Sequence, residues 1–458
     1  MNLKRTLALA LALCMILALA ACGNGGEGGT GASNPPASQP AQNESQAPGG
    51  ETSGEPVAIT LWTYPIGSWG GQNPTVDDMI ANFNAVYPDI TVNVQYLDYT
   101  NGDDRVMSAI NGGTTPDIIM EGPERLVSNW GAAGKMVDLS DLWDEATTAD
   151  IAAVSEAVVN ACKSPDGAYY EYPLCMTTHC MAINYEVFEQ ADALQYIDLE
   201  NRTWTTENFL KAIEAVKNSG AVSTPGIVYC GGQGGDQGTR ALVTNLYSGA
   251  YTNADHTEYT VNSAENVQGL QLLVDQVAAG NLSSSASFQA TEELQAFANG
   301  TAAMTFCWNA SNKAQYASQV TFTPYALAFP SDDGVPELCG GIWGFGIFDN
   351  GDAARIEAAK TFIKFMCDDE TQGPASVQAT GFFPVRESQG DVYAGTDKEQ
   401  DMSEFASLMP YLGDYYNVIG GWTEQRTAWW NMLQQIFAGT DVQKAADEFV
   451  STANAAIG

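Results

Sequence analysis

The chain has 458 residues, 45% of them hydrophobic and 10% aromatic, which is more material than one ordinary core uses. Its 18 basic and 55 acidic side chains give a formal charge of −37. Such a surface repels polyanions, which argues against nucleic acid as a partner and against basic-patch adhesion to anionic lipid headgroups.

The first element in chain order is export-like. Lys4 and Arg5 precede an apolar run from Leu7 to Ala21 interrupted only by Cys14, the pattern of a secretory signal over residues 1–21. The run is shorter than the roughly 20 residues a membrane-spanning helix needs, and no later segment is apolar for longer. Leu19-Ala20-Ala21-Cys22 resembles a bacterial lipobox, in which Cys22 would be lipidated and become the first residue. Residues 22–56 then read as a flexible tether, since Gly23 to Glu55 hold no aromatic residue and almost nothing to build a core. Together these features place the chain on the extracellular face of the cell membrane, by preference a Gram-positive surface.

Val57 to Trp62 is a β-rich run, and Val76, Met79, Ile80, Phe83 and Tyr87 share one helical face that ends at Pro88. Ile90 to Val94 is a second strand, a helix through Val106 and Ile110 breaks at Gly112-Gly113, and Pro116 to Met120 is a third strand. Farther on, Thr205 has the position of an N-cap, with Trp204 and Phe209 spaced as a hydrophobic staple and Gly220 as the stop. Asp352 heads a helix with Ile356, Ala359, Phe362, Ile363 and Met366 on one face, and a last helix runs through Val442, Ala446, Phe449 and Ala453. The alternation predicts an α/β architecture in which each sheet is mostly parallel and flanked by helices.

Ligands of such sheets sit beyond the carboxyl ends of the strands. That rule selects Trp62 and Tyr64, Glu121 and Glu124, the stretch Thr177 to Cys180 with His179, and Trp343. Gly231 to Gln237 is a glycine-rich loop offering Asp236, but it lacks the Lys and Ser/Thr of a phosphate loop. The body's seven cysteines have no CxxC or Cys/His spacing, so neither a metal nor a cofactor is expected, and they read as small buried apolar residues. Cys175 and Cys180, five positions apart on one strand, would face opposite sides and not pair.

Several segments, in order, resemble the family of bacterial extracellular solute-binding proteins that includes maltose-binding protein. They are Asn82-Phe83-Asn84 through Tyr87-Pro88-Asp89-Ile90, Gly113 to Ile118, Tyr172-Pro173-Leu174 with Asn184-Tyr185, and Thr203 to Phe209. Phe297 to Met304, Gly340 to Ile347 and Thr380 to Val385 complete the set. The resemblance implies a two-lobed periplasmic-binding-protein-like fold of type II, with one lobe at 57–176 plus 328–372 and the other at 177–327 plus 373–458. It also implies a monomer that closes on a solute and presents it to ABC transporter permease subunits.

A sugar presents hydroxyls at its edge and C–H patches on its faces, so its site needs aromatic plates and planar hydrogen-bonding groups. Trp62 and Trp343 are the stacking candidates of one lobe and Trp308 that of the other, with Trp422 and Trp429 as further ones. In the maltose binder, the stretch after the third strand carries ligand-contacting aromatic and acidic residues. The matching positions here are Glu121, Glu124 and Arg125, without the aromatic; Glu124 and Arg125 also fit a solvated pair, and the polar contact near the hinge corresponds to Thr177. The expected function is capture of a sugar or oligosaccharide for import, with no catalytic residue. The alternatives are the same fold binding a polyamine or other small solute, or a lipid-anchored glycoside hydrolase.

Overall fold

The computed structural model describes residues 56–457 apart from 68, 70–73, 100 and 233–235. The leader, Cys22 and the tether up to residue 55 lie outside these described residues. Among the described residues no helix is long and apolar enough to cross a membrane.

The body is two-lobed. In the larger sheet the strand order is β11 (Phe383–Pro384), β4 (Tyr172–Thr178), β10 (Gly340–Ile347), β3 (Ile118–Glu121), β1 (Val57–Thr63) and β2 (Ile90–Tyr96). The other lobe holds a three-stranded sheet, β8 (Met304–Trp308), β5 (Cys180–Asn184) and β9 (Pro324–Leu327), and a pair, β6 (Ile227–Tyr229) with β7 (Ser283–Ser285). β3 is buried along its whole length, as its apolar Ile118-Ile119-Met120 run requires, and it ends on the buried Glu121.

The expectation of mostly parallel sheets needs correction. β1 runs parallel to β2 and β3, and β6 to β7, but β10 is antiparallel to β3 and β4, β11 to β4, and β5 to both of its neighbours. The cause is the crossing between lobes. β4 leads into β5 with only His179 between them, and β9 and β10 bring the chain back in the opposite direction, so each outgoing strand pairs antiparallel with its return. β4 extends to Thr178 and β11 lies in the large sheet, both beyond the first-lobe limits of 176 and 372 expected from sequence.

Local signals were realised where the physics is local. The helix Thr206–Ser219 is capped by Thr205 Oγ1, which accepts from Asn208 N at 3.2 Å; Trp204 meets Phe209 edge to face at 5.2 Å, and Gly220 ends the helix at φ 67°. Asp352 caps the helix Ala353–Asp368 through the amides of Ala354 and Arg355. From that helix Phe362 and Phe365 meet Phe83, on the helix Pro74–Val86, at 5.1 and 5.5 Å. Asp117, 1% exposed, joins these layers: it accepts from Thr60 N and Oγ1 on β1, from Asn350, and from Arg355 at 2.6 Å. All seven cysteines from Cys162 to Cys367 are buried thiols.

Candidate functional site

A cavity of about 500 Å³ lies between the lobes. The large sheet supplies its first wall: Tyr99 just after β2, Glu121 at the end of β3, Glu124 and Arg125 in the helical turn Pro123–Arg125, and Trp343 midway along β10. Helices supply the second wall: Asn309 and Asn312 at the start of Ala310–Tyr316, Gln237 on Asp236–Leu246, and Trp422 and Arg426 on Trp422–Phe437. His179, the residue between β4 and β5, lines the cavity where the lobes join.

Two aromatic surfaces belong to the first wall. Trp343 is only partly buried and stacks on Phe382, which also lines the cavity, at 4.9 Å and 19°. Gly341 makes room for that ring, since a Cβ there would lie 1.9 Å from it. Tyr99 is 43% exposed and stacks at 5.1 Å on Tyr64, which is itself fully buried.

Beneath these rings lies a charge network. Arg125 donates to Asp103 Oδ1 at 2.8 Å and Oδ2 at 3.0 Å and to Glu121 Oε1 at 2.5 Å, and is 4% exposed. Burial opposes the charge on Asp103, but Arg125 outweighs it and holds that carboxyl below its usual range. For Glu121 burial wins, and its carboxyl is pushed up to about 8 although Arg125 pulls the other way. Glu121 Oε2 has no hydrogen-bond partner, and neither do both oxygens of Glu171, a fully buried carboxyl. Burial, then the charges of Glu124 and Glu121, pushes Glu171 well above the carboxylate range. Glu124 accepts from Tyr415 at 2.8 Å.

On the second wall, Arg426 pairs with Asp236 at 3.2 Å and sits 5.3 Å from the Trp422 ring. Arg240, fully buried, lies 5.1 Å from the same ring. The indole nitrogen of Trp422 and Nε2 of His179 are buried without a partner. Burial, helped by Arg240, pulls His179 down to about 4, so it is neutral at physiological pH.

The structure therefore brings Glu121, His179 and Trp343 to one cavity, with Glu124, Arg125 and Trp422. Glu124 and Arg125 are buried, not a solvated pair. The other candidates lie elsewhere. Trp62, 7% exposed, packs in the sheet with Arg105 over its ring at 4.5 Å. Tyr64 stands behind Tyr99 and donates to Asp103 at 2.6 Å. Thr177 is fully buried in β4, opposite Gly341. Asp236 is 2% exposed and serves as counter-charge to Arg426. Trp308 is fully buried against Phe297 at 5.4 Å, in the core of the second lobe. Trp429 is buried, donating to Thr239 at 2.9 Å. Among the residues not anticipated, Tyr99 obeys the strand-end rule, whereas Asn312 and Arg426 sit on helices to which that rule does not reach.

The family model for bacterial extracellular solute-binding proteins matches residues 78–406. The chain belongs to that family. No curated protein sequence matches this solute-binding protein. Solved structures share its fold: an ABC substrate-binding protein from Listeria monocytogenes, in complex with cycloalternan, is 20% identical, with a TM-score of 0.67 over 88% of this chain and 99% of its own. The GacH receptor of Streptomyces glaucescens, known unliganded and with acarbose, is 14% identical, with a TM-score of 0.70 over 88% and 98% of the two chains. The maltose/maltodextrin-binding domain from Bdellovibrio bacteriovorus, bound to maltotriose, is 16% identical, with a TM-score of 0.65 over 87% and 99%.

Proposed function

We propose that this solute-binding protein captures a neutral sugar or oligosaccharide between its lobes and hands it to an ABC import permease, doing no chemistry on it. The observation that carries the reading is the partly exposed Trp343, backed by Phe382, in a cavity that also holds the unpaired Glu121 Oε2 and the unpaired donor of Trp422. A flat ring fits a C–H face, and an unpaired acceptor on one wall with an unpaired donor on the other fits hydroxyls, which are both. Arg125 and Arg426 are each held by a carboxylate, which favours an uncharged ligand. The similar proteins solved with cycloalternan, acarbose and maltotriose support the same class.

In this reading the lobes, divided near 176 and 372, close about the crossing at His179, and only a ligand that binds the closed form better shifts that balance. The protein acts as a monomer held by a lipid on Cys22, a placement that rests on Leu19-Ala20-Ala21-Cys22. Cys22→Ala should move it from the detergent phase to the aqueous phase on phase partition. A thermal-shift panel of mono- and oligosaccharides, with spermidine as the polyamine arm, identifies the class, because a ligand that binds only the folded form raises Tm. Trp343→Ala should weaken the best sugar by about tenfold or more while Tm without ligand changes little. Stabilisation by spermidine alone, or release of reducing sugar by the protein, would overturn the reading.

A further inference from the structure

The helix Ala310–Tyr316 stands as a partition. Asn312, Gln315 and Tyr316 line the central cavity, while Ala310, Lys313 and Ala314 line a second chamber of about 330 Å³ on its other side. The two spaces adjoin: Ser311 lines both, and Gly381 and Phe382, neighbours in the chain, line one each.

Their chemistry differs. The central cavity is rich in charged and amide groups, whereas the second chamber is walled by Ala310, Ala317, Val320, Phe322, Met402 and Phe405. Phe405 is fully buried, and Phe322 is braced edge to face by Phe297 at 5.1 Å. Its polar lining residues are Ser311, Lys313, Lys398 and Asp401. Lys313 is committed to Glu404 at 2.7 Å and Asp401 at 2.9 Å, and Lys398 is exposed. A further hydroxylated ring laid against the apolar walls would lose water and find few partners there, a cost that an apolar group avoids.

We infer that the ligand is a glycoside: its sugar occupies the central cavity and an apolar aglycone, aryl or short alkyl, passes Ser311 and Phe382 into the second chamber. This rests on the sugar-binding reading above and narrows it to an amphipathic solute. A chamber of this size accepts one such group.

The test is isothermal titration of the full chain with 4-nitrophenyl glycosides of glucose, galactose, maltose and cellobiose, each paired with its parent sugar and the next longer oligosaccharide. For the sugar that binds, the nitrophenyl glycoside should bind about tenfold tighter than the parent. Ala314→Trp and, independently, Ala317→Trp should erase that gain and leave the parent's affinity unchanged; both positions are exposed, so the fold tolerates the ring. Equal affinity of glycoside and parent, a gain that survives both variants, or an equal gain from the longer oligosaccharide overturns the inference while leaving sugar binding intact. If no sugar or glycoside in a wide panel binds, the sugar-binding reading itself fails and the inference with it.

Discussion

The two walls of the cleft are built by different means. The first wall comes from the ends of β2 and β3 and from β10, a sheet whose register fixes each side chain, and it concentrates charge: Asp103, Glu121, Glu124 and Arg125 interlock beneath the rings of Tyr99 and Trp343. The second wall comes from helix starts and helix faces and offers mostly amides, hydroxyls and one indole, with its arginine held from behind by Asp236. A pre-set charged floor opposite a polar, helix-borne roof suits a site that orients a ligand on one side before the other closes over it.

The largest effect should fall on the second lobe and not concern ligand at all. Trp308→Ala removes a fully buried indole packed on Phe297 and should cost about 3 to 5 kcal/mol of stability, measured by urea or thermal unfolding. A change under 1 kcal/mol would show that Trp308 is not core. The first wall's counterpart is Arg125→Met, which strands the buried Glu121 and the half-buried Asp103 and should cost about 3 kcal/mol. Adding Glu121→Gln to that variant should recover part of the loss; a simple sum of two losses would mean that the two side chains are not coupled.

Trp308 also shows where sequence reasoning stopped. The strand-end rule found Glu121 because a side chain at the carboxyl end of a strand has only a narrow choice of positions, whereas Trp343, which the rule also selected, sits midway along the antiparallel β10. Trp308 reads from sequence as the matching stacking ring of the second lobe, but as the last residue of β8 it is buried in the core, and the cleft begins at Asn309 in the helix N-cap. Capping, staples and the family-like motifs are local and were legible, as Thr205, Asp352 and Gly220 show. The direction of β10 and the place of β11 depend on how the chain recrosses between lobes. Nothing in the residues of a strand states its direction, so a mostly parallel pair of sheets was expected and mixed ones were found.

A third effect depends on pH. Glu171 and Glu121 both have folded pKa values raised by burial, so each contributes stability that is fully present below the unfolded carboxyl value and lost as pH rises toward the folded one. Between roughly pH 5 and 8 Glu121 should lower stability by up to about 1.4 kcal/mol per pH unit, and Glu171, held well above the carboxylate range, acts in the same direction. Glu171→Gln, which removes one of them, should therefore gain on the parent protein as pH increases through that window. His179 has the opposite sign: lowered to about 4, it contributes stability that is lost as pH falls from 6.5 through 4. Thermal unfolding of parent and variant at several pH values separates these slopes, and parallel curves would mean that Glu171 is solvated.

The smallest effect tests the helix-borne wall. Asn309 accepts from Asn312 N at 2.8 Å, so it caps the helix Ala310–Tyr316, while Asn312 Nδ2 donates to Cys307 O at 3.1 Å and ties that helix start to β8. Losing the cap in Asn309→Ala should cost about 1 kcal/mol, because the short helix has few bonds of its own to hold its first turn. Asn309→Asp keeps an acceptor at the same place and should recover the stability, yet it brings a carboxylate into the cavity where the amide stood. If the amide of Asn309 also meets the ligand, the Asp variant will be stable but bind more weakly. If its role is only to set the helix, the Asp variant will match the parent in both measurements, and the polar roof of the cleft will rest on Asn312 and Trp422.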